Sequence, residues 1–222
     1  MKKLILPLFA FVLFNFLNAQ APADNDPAAK KILDELSKTT KTYTTITAEY
    51  TFTILGKDKK QVDKQDGKIQ VKGNKFRLEI PGNTIVSDGK TIWNHNKDQQ
   101  EVSIKDVEPS EDDMMDPTKI FTMYEKGFKY LLDKDEKTEG GVVMKVVKLY
   151  PAVKPEKKKY HIAKLYIVKN QIKMVKLMMR DGGEQTFEIK KFTPNLVLTD
   201  GSFVFDTSKF KKDQIVDERG GK

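Results

Sequence analysis

The chain has 222 residues, a formal charge of +8 from 40 Lys and Arg against 32 Asp and Glu, and no cysteine. Without cysteine there is no disulfide scaffold, no thiol nucleophile and no N-terminal cysteine to lipidate, so an exported domain of this sequence must stand on its own core. The lysines fall on alternating strand positions as on a solvated face, and with no recognition motif they do not point to nucleic acid.

Lys2 and Lys3 precede an apolar run from Leu4 to Leu17, broken only by Pro7 and Asn15, and the small residues Ala19-Gln20-Ala21 follow it. Roughly a dozen apolar residues is short of the ~20 that a spanning helix needs, so this is a secretory signal rather than an anchor. The predicted organisation is a cleaved signal over residues 1–20 and a single domain over 21–222, whose charge is +6 once Lys2 and Lys3 are gone.

After a polar lead-in from Ala21, Pro27 opens an amphipathic helix over about 28–42, with Ala29, Ile32, Leu33 and Leu36 recurring at helical steps toward Tyr43. The period then changes to two. In Ile46–Ile54 every even-numbered residue is apolar (Ile46, Ala48, Tyr50, Phe52, Ile54) and every odd one polar, which fits only a strand with one oily face. Gly67, Ile69 and Val71 mark the next strand; Phe76, Leu78 and Ile80 mark the one after, ended by Pro81-Gly82. Val86 to Trp93 spells a hairpin with a two-residue type I′ turn at Asp88-Gly89, its second strand carrying the single tryptophan. Val102 and Ile104 belong to one more strand.

An acidic loop over 108–117 follows, and Asp116-Pro117 predicts the N-cap of a helix over 117–132 with Ile120, Phe121, Tyr124, Phe128, Leu131 and Leu132 on one side. Strands resume over 142–150, 161–168, 172–179 and 186–192. A lysine-rich loop at 154–159 and a turn at Asp181-Gly182-Gly183 separate them, and Ser202–Phe205 reads as the last strand. The class is α+β: an antiparallel sheet of about ten to eleven strands with two helices.

No catalytic constellation emerges. His95 and His161 lack metal-ligand spacing, Ser87 lacks a Gly-x-Ser-x-Gly elbow, and Glu111-Asp112-Asp113 crowd one loop; a non-enzymatic protein without metal or cofactor is expected. What the chain offers instead is a continuous set of apolar strand faces, either a packed core or an open greasy cavity. Met123, Met174, Met178 and Met179 suit a surface that accepts varied apolar guests, and equally suit the filling of gaps in a core. The loop Lys157-Lys158-Lys159 is either a solvated tip or a contact for anionic headgroups or an acidic partner.

Three stretches carry a resemblance: Gly67-x-Ile69-x-Val71-Lys72, then Lys75-Phe76-Arg77, then Ile85-Val86-Ser87-Asp88-Gly89-Lys90-Thr91-Ile92-Trp93 with Asn96. The tail, Phe203-x-Phe205 and Val216-Asp217-Glu218-Arg219, agrees. Together they resemble the outer-membrane lipoprotein carrier family (LolA). The resemblance implies an incomplete, open antiparallel barrel whose concave apolar face holds acyl chains under a lid formed by the helices near 28–42 and 117–132. It implies a periplasmic, Gram-negative, monomeric carrier that receives acylated lipoproteins from an inner-membrane releasing ABC transporter and delivers them to an outer-membrane receptor. On the same basis Tyr50, Phe52, Ile54, Ile69, Val71, Phe76, Leu78, Ile80, Trp93, Phe121, Met123, Tyr124, Met174 and Met178 are the expected cavity and mouth residues. The family's lid-latching arginine position is Gly73 here, with Arg77 the candidate substitute. The alternatives are a sensor or interaction module of the same fold, or a carrier of other lipids or apolar pigments.

Overall fold

The computed structural model describes residues 21–108, 119, 121–138 and 140–220. The expected signal at 1–20, the acidic loop from 109 and the Asp116-Pro117 cap lie outside them.

Helix α1 spans Pro27–Thr40. Asp26 caps it: its Oδ1 accepts from the N–H groups of Ala28 at 2.8 Å and Ala29 at 3.4 Å, two of the four donors a helix start leaves unpaired. Ala29, Leu33, Leu36 and Thr40 are buried, the spacing of one helical face. The helix stops two residues before the expected end, and Tyr43 instead lies in the connection to β1, its ring 5.5 Å from Phe192.

Thirteen strands follow: β1 Ile46–Leu55, β2 Gln61–Lys72, β3 Lys75–Ile80, β4 Asn83–Ser87, β5 Thr91–Asn96, β6 Glu101–Asp106, β7 Phe128–Leu132, β8 Glu136–Lys137, β9 Val143–Pro151, β10 Tyr160–Val168, β11 Gln171–Met179, β12 Glu184–Pro194 and β13 Ile215–Asp217. They form one sheet in the order β13-β6-β5-β4-β3-β2-β1-β12-β11-β10-β9-β7, with β8 paired to β9 off that path. The antiparallel pairings are mostly between strands consecutive in the chain, with β1–β12 and β7–β9 the non-consecutive ones, and β13 runs parallel to β6. β7 and β13 do not meet, so the barrel is open. A bulge at Glu49/Tyr50 where β1 meets β12 breaks the register and adds local twist.

Register sorts the residues onto two faces. One row runs Ile46, Val71, Phe76, Ser87, Ile92 across β1 to β5; another runs Leu132, Val147, Leu165, Val175, Phe187, Phe52 from β7 to β1. These make the inner face, on which α1 rests. Gln70, Arg77, Val86, Trp93 and Ile104 form a row on the outer face. The segment after β12 crosses the outer face there: Lys72 Nζ donates to the Leu198 carbonyl at 3.1 Å, and His95 sits between the Phe205 and Phe210 rings. Phe203, Val86 and Val102 are fully buried in consequence.

Three expectations are corrected. The helix predicted over 117–132 is, where described, a single short turn at Met123–Glu125 followed by β7. Gly127, at φ +82°, breaks the chain direction, and the Phe128–Leu132 backbone pairs with β9 along its whole length. Its apolar spacing suits a helix, but an open strand edge supplies the hydrogen bonds first. The Asp88-Gly89 hairpin is not type I′: only Gly89 has positive φ, and Asp88 Oδ1 accepts from the N–H groups of Lys90 and Thr91, both at 2.8 Å, in a three-residue loop. Residues 202–205 are not the last strand: Asp200–Phe203 is a tight helical turn that plugs the outer face with Phe203, and β13 comes later.

Candidate functional site

Tyr50, Phe52, Ile54, Ile69, Val71, Phe76, Leu78 and Ile80 all fall on the inner face, as their parity requires. Ile69, Val71 and Phe76 are buried with Ile46, Ala48 and Phe121 in one cluster, against which Tyr43, Tyr50, Leu78, Ile85 and Phe192 pack in part. Phe121 reaches this cluster edge-on to Phe192, ring centroids 5.8 Å apart. Met123 and Tyr124 belong to the other cluster, beneath α1, with Leu33, Leu36, Val147, Leu149, Leu165 and Val175. The segment 121–125 thus bridges the two halves of the inner face.

Helix α1 is tied at both ends. At its start Asp26 N–H donates to the Tyr130 carbonyl at 3.1 Å, and Leu132 N–H donates to Asp26 Oδ2 at 3.1 Å, which pins the helix to edge strand β7. These backbone donors, Leu132 first and then Ala28, hold the Asp26 carboxyl below the usual carboxylate range. At its end Ser37 Oγ donates to Glu125 Oε1, and Lys41 Nζ lies 3.4 Å from the same oxygen. Burial pushes the Tyr124 hydroxyl up to about 12, and it donates to Thr40 Oγ1 at 3.5 Å. Beyond the helix, Thr44 and Thr45 are held by Asn195 and Leu196 at the far end of β12.

The inner face continues past this covered region toward the end of the sheet where β1 turns into β2. There Tyr50, Phe52, Ile54, Ile80 and Phe187 are only half-buried. Phe52 and Phe187 stack at 4.5 Å, with the Tyr50 ring 6.1 Å from Phe187. Tyr50 lies flat over Gly67 on β2: a Cβ at Gly67 would come within 2.6 Å of the phenol ring, so this glycine is the seat of the aromatic side chain. Burial raises the Tyr50 hydroxyl above its ordinary value. The arrangement is a trough, apolar along its floor, filled by a helix at one end and lined by half-exposed aromatic and aliphatic side chains at the other.

Four candidate residues do not belong to it. Trp93 faces outward between Val86 and Ile104. Met174 and Met178 also face outward, Met174 across from Tyr166 in a small outer cluster with Met144 and Val146, and Met178 across from Ile162 and Glu184. Val175 and Leu177 take the inner positions of that strand. Arg77 is no latch: it shares the outer row with Val86, and its Nε donates to Glu79 Oε1 at 2.9 Å. Gly73, at φ +60°, makes the β2–β3 turn. The groups that hold the helix are Asp26 and Glu125, which the sequence reading passed over along with Phe187 and Ile189; Leu33, Leu36, Ile85 and Ile92 it named, but not as residues of the trough. The alternation of Phe187 and Ile189 along β12 was the available signal; nothing local marks Glu125, 88 residues from Ser37.

Among the described residues no group of three His, Cys, Asp or Glu side chains is placed to hold a metal, and no helix is long and apolar enough to cross a membrane. His95 is wedged between two phenylalanines and shifted down chiefly by burial, which suits packing.

Comparison with known proteins agrees with this geometry. Residues 41–206 match the family model described as outer membrane lipoprotein carrier protein LolA. Two curated relatives, each named outer-membrane lipoprotein carrier protein, come from Actinobacillus pleuropneumoniae serotype 3 (strain JL03) and serotype 7 (strain AP76). Each is 26% identical over 231 aligned positions that span all of this chain and 98% of the relative. Among solved structures, an uncharacterized conserved protein from Thermus thermophilus superposes with a TM-score of 0.52 at 17% identity, covering 86% of this chain and 99% of that one, which is a likeness of fold.

Proposed function

This chain belongs to the outer membrane lipoprotein carrier protein LolA family, and from that premise we propose that it carries acylated lipoproteins, sheltering their acyl chains on the apolar trough that α1 now occupies in part. It acts by binding, without catalysis or cofactor. Residues 1–20 direct export, residues 21–222 form the carrier domain, and the protein works as a monomer in the periplasm of a Gram-negative cell. Its cargo comes from an inner-membrane releasing transporter and passes to an outer-membrane receptor.

The observation that carries this reading is the seat of α1. Its buried face against the sheet (Ile32, Leu33, Leu36 with Ala29) is an apolar stripe laid in an apolar trough that continues beyond it. Large aliphatic side chains contribute roughly 1.5–3 kcal/mol each when buried, so this seat is worth about 5–8 kcal/mol. One acyl chain of some sixteen carbons gains on the order of 12 kcal/mol at ~0.8 per methylene. A lipid chain can therefore displace the helix, and the helix in turn lowers the net affinity enough for the cargo to be handed on. Phe121 fills the neighbouring half of the trough in the same manner.

The test is binding of a fluorescent triacylated lipopeptide by the purified protein and by Ile54→Glu. Ile54 is half-buried on the trough, so a carboxylate there folds while placing charge beside the acyl chains. A loss of at least tenfold in affinity with an unchanged melting temperature is expected. Phe76→Glu is the poorer variant, because Phe76 is 7% exposed and a charge there unfolds the domain. Equal affinity of Ile54→Glu and the parent protein overturns the assignment of the trough.

A further inference from the structure

The loops at the two ends of the sheet differ in charge. At the end where the trough is half-open, the turns at 56–60, 152–159 and 180–183 carry seven lysines and Arg180 against Asp58, Glu156 and Asp181, a net of +5. The other two turns at that end, 81–82 and 97–100, add nothing net, since Lys97 is matched by Asp98. At the opposite end the loops 41–45, 73–74, 88–90, 133–138 and 169–170 hold five cations and four carboxylates, a net of +1.

The three basic turns are built into one rim. Lys59 Nζ donates to the Gly182 carbonyl at 3.1 Å, and the Lys57 side chain packs over Gly182. Arg180 reaches across to the lysine loop, its Nη2 donating to the Pro155 carbonyl at 2.8 Å and its Nε to that of Lys158 at 2.9 Å, while its backbone N–H bonds to the Lys159 carbonyl. The loop at 154–159 is thus braced against the β11–β12 turn, with Lys154, Lys157 and Lys159 exposed and Lys158 half-buried. Two large apolar side chains stand out on the same rim: Val62, next to the β1–β2 turn, is 70% exposed, and Val153, in the β9–β10 loop, is 61% exposed. Just inside the rim lie Phe52, Ile54 and Phe187 of the trough.

We infer that this rim docks the protein, open end first, on a bilayer surface rich in anionic phospholipid. Lysines supply compact charges to an array of headgroup phosphates, the exposed valines reach the headgroup–acyl boundary, and the trough then opens toward the membrane from which acyl chains must come or to which they must go. An acidic protein partner would answer the charge but not the flanking valines or the alignment with the trough. The use of such docking rests on the carrier reading; its occurrence is measured apart from cargo.

The experiment is flotation of the purified chain with vesicles of phosphatidylcholine containing 30% phosphatidylglycerol, and with phosphatidylcholine alone. Binding to the anionic vesicles only is expected, abolished at about 0.5 M salt, where the screening length falls to a few ångströms. Substituting Lys60, Lys157, Lys158 and Lys159 with Gln should weaken it by about 600-fold, from roughly fivefold for each of the four lysines. Substituting Lys90, Lys105, Lys137 and Lys191 with Gln makes the same change in net charge elsewhere and should retain binding. Absence of binding by the parent protein, or equal loss in the two variants, overturns the inference; so does a rim variant that fails only in transfer to a protein partner while no form binds vesicles. Lipopeptide affinity in vesicle-free buffer should be the same in the rim variant as in the parent. Vesicle binding without lipopeptide binding would end the carrier reading and leave the docking surface standing.

Discussion

Truncating Leu36 to alanine separates a movable helix from a fixed one by the sign of its effect on cargo binding. Leu36 is 1% exposed, in the cluster beneath α1 with Leu33, Val147 and Leu165. A leucine-to-alanine change at such a site costs about 3 kcal/mol, in a range of 2–5, because the cavity left behind closes only in part. Alanine is the better helix former, so the loss falls on the seat of α1 and not on the helix itself. For a domain of this size the melting temperature should fall by roughly 6–12 °C. If acyl chains bind where α1 sits, the same change removes about 3 kcal/mol from the closed state that cargo must displace. The apparent lipopeptide affinity then rises by up to about a hundredfold, saturating once the open state predominates. Amide exchange over residues 27–40 should quicken in the free variant and match the parent when both are loaded. Affinity that falls along with the melting temperature would refute the displacement argument, because it would make Leu36 part of a static wall.

Three further outcomes follow from particular contacts. Gly67→Ala sets a methyl group 2.6 Å from the Tyr50 ring, which must swing away. The expected destabilisation is about 1–3 kcal/mol by chemical denaturation, accompanied by altered lipopeptide affinity, whereas the same change at the exposed turn residue Gly73 should leave affinity alone. Asp26 has its carboxyl lowered below 3.8 by backbone donors, so its support of the α1 start is complete above that value and is lost as the pH falls further below it. Protection of residues 27–36 should therefore decline below about pH 4 in the parent, while Asp26→Asn should show weaker protection at neutral pH and no such decline. Trp93 faces away from the trough, so its emission should not change on lipopeptide binding and Trp93→Phe should bind as the parent does. A shift in that emission on titration would place cargo on the outer face.

The fold was largely legible because β1 to β3 present their apolar residues at strict alternation, a pattern no helix tolerates. The segment 119–132 failed for the opposite reason. Phe121, Tyr124, Phe128 and Leu132 fit a helical stripe, yet Phe128–Leu132 lies beside the free edge of β9, and long-range pairing outweighs a weak local preference that Gly127 has already interrupted. Nothing in the local sequence could report that edge.

Which apolar residues line the trough was a harder matter, and the reason is general to a sheet covered on both sides. Alternation tells which residues of one strand share a face; it does not tell which face is which. On β1 the outer positions up to Thr53 are threonines and a glutamate, so the inner face declares itself. On β4, β5 and β11 both parities carry apolar residues: Ile85 and Val86, Ile92 and Trp93, Met174 and Val175. The outward members are covered to different degrees: Val86 is fully buried, Trp93 is half-buried beside His95, which Phe205 and Phe210 flank, and Met174 packs with Met144, Val146 and Tyr166. The tryptophan in the most distinctive stretch of the chain thus lies on the outer face, half-buried, away from the trough. Of the two charged groups that hold the helix over the trough, Asp26 stands before Pro27 and carried the signal of an N-cap, whereas Glu125 is a charged group that the sequence alone assigns to solvent. Their role exists only because the fold brings β7 and the 121–125 segment to the two ends of one short helix. A helix held by one apolar stripe, an N-terminal cap and a carboxylate at its far end can be released without breaking the strand pairing beneath it, which is what the proposed carrier role requires.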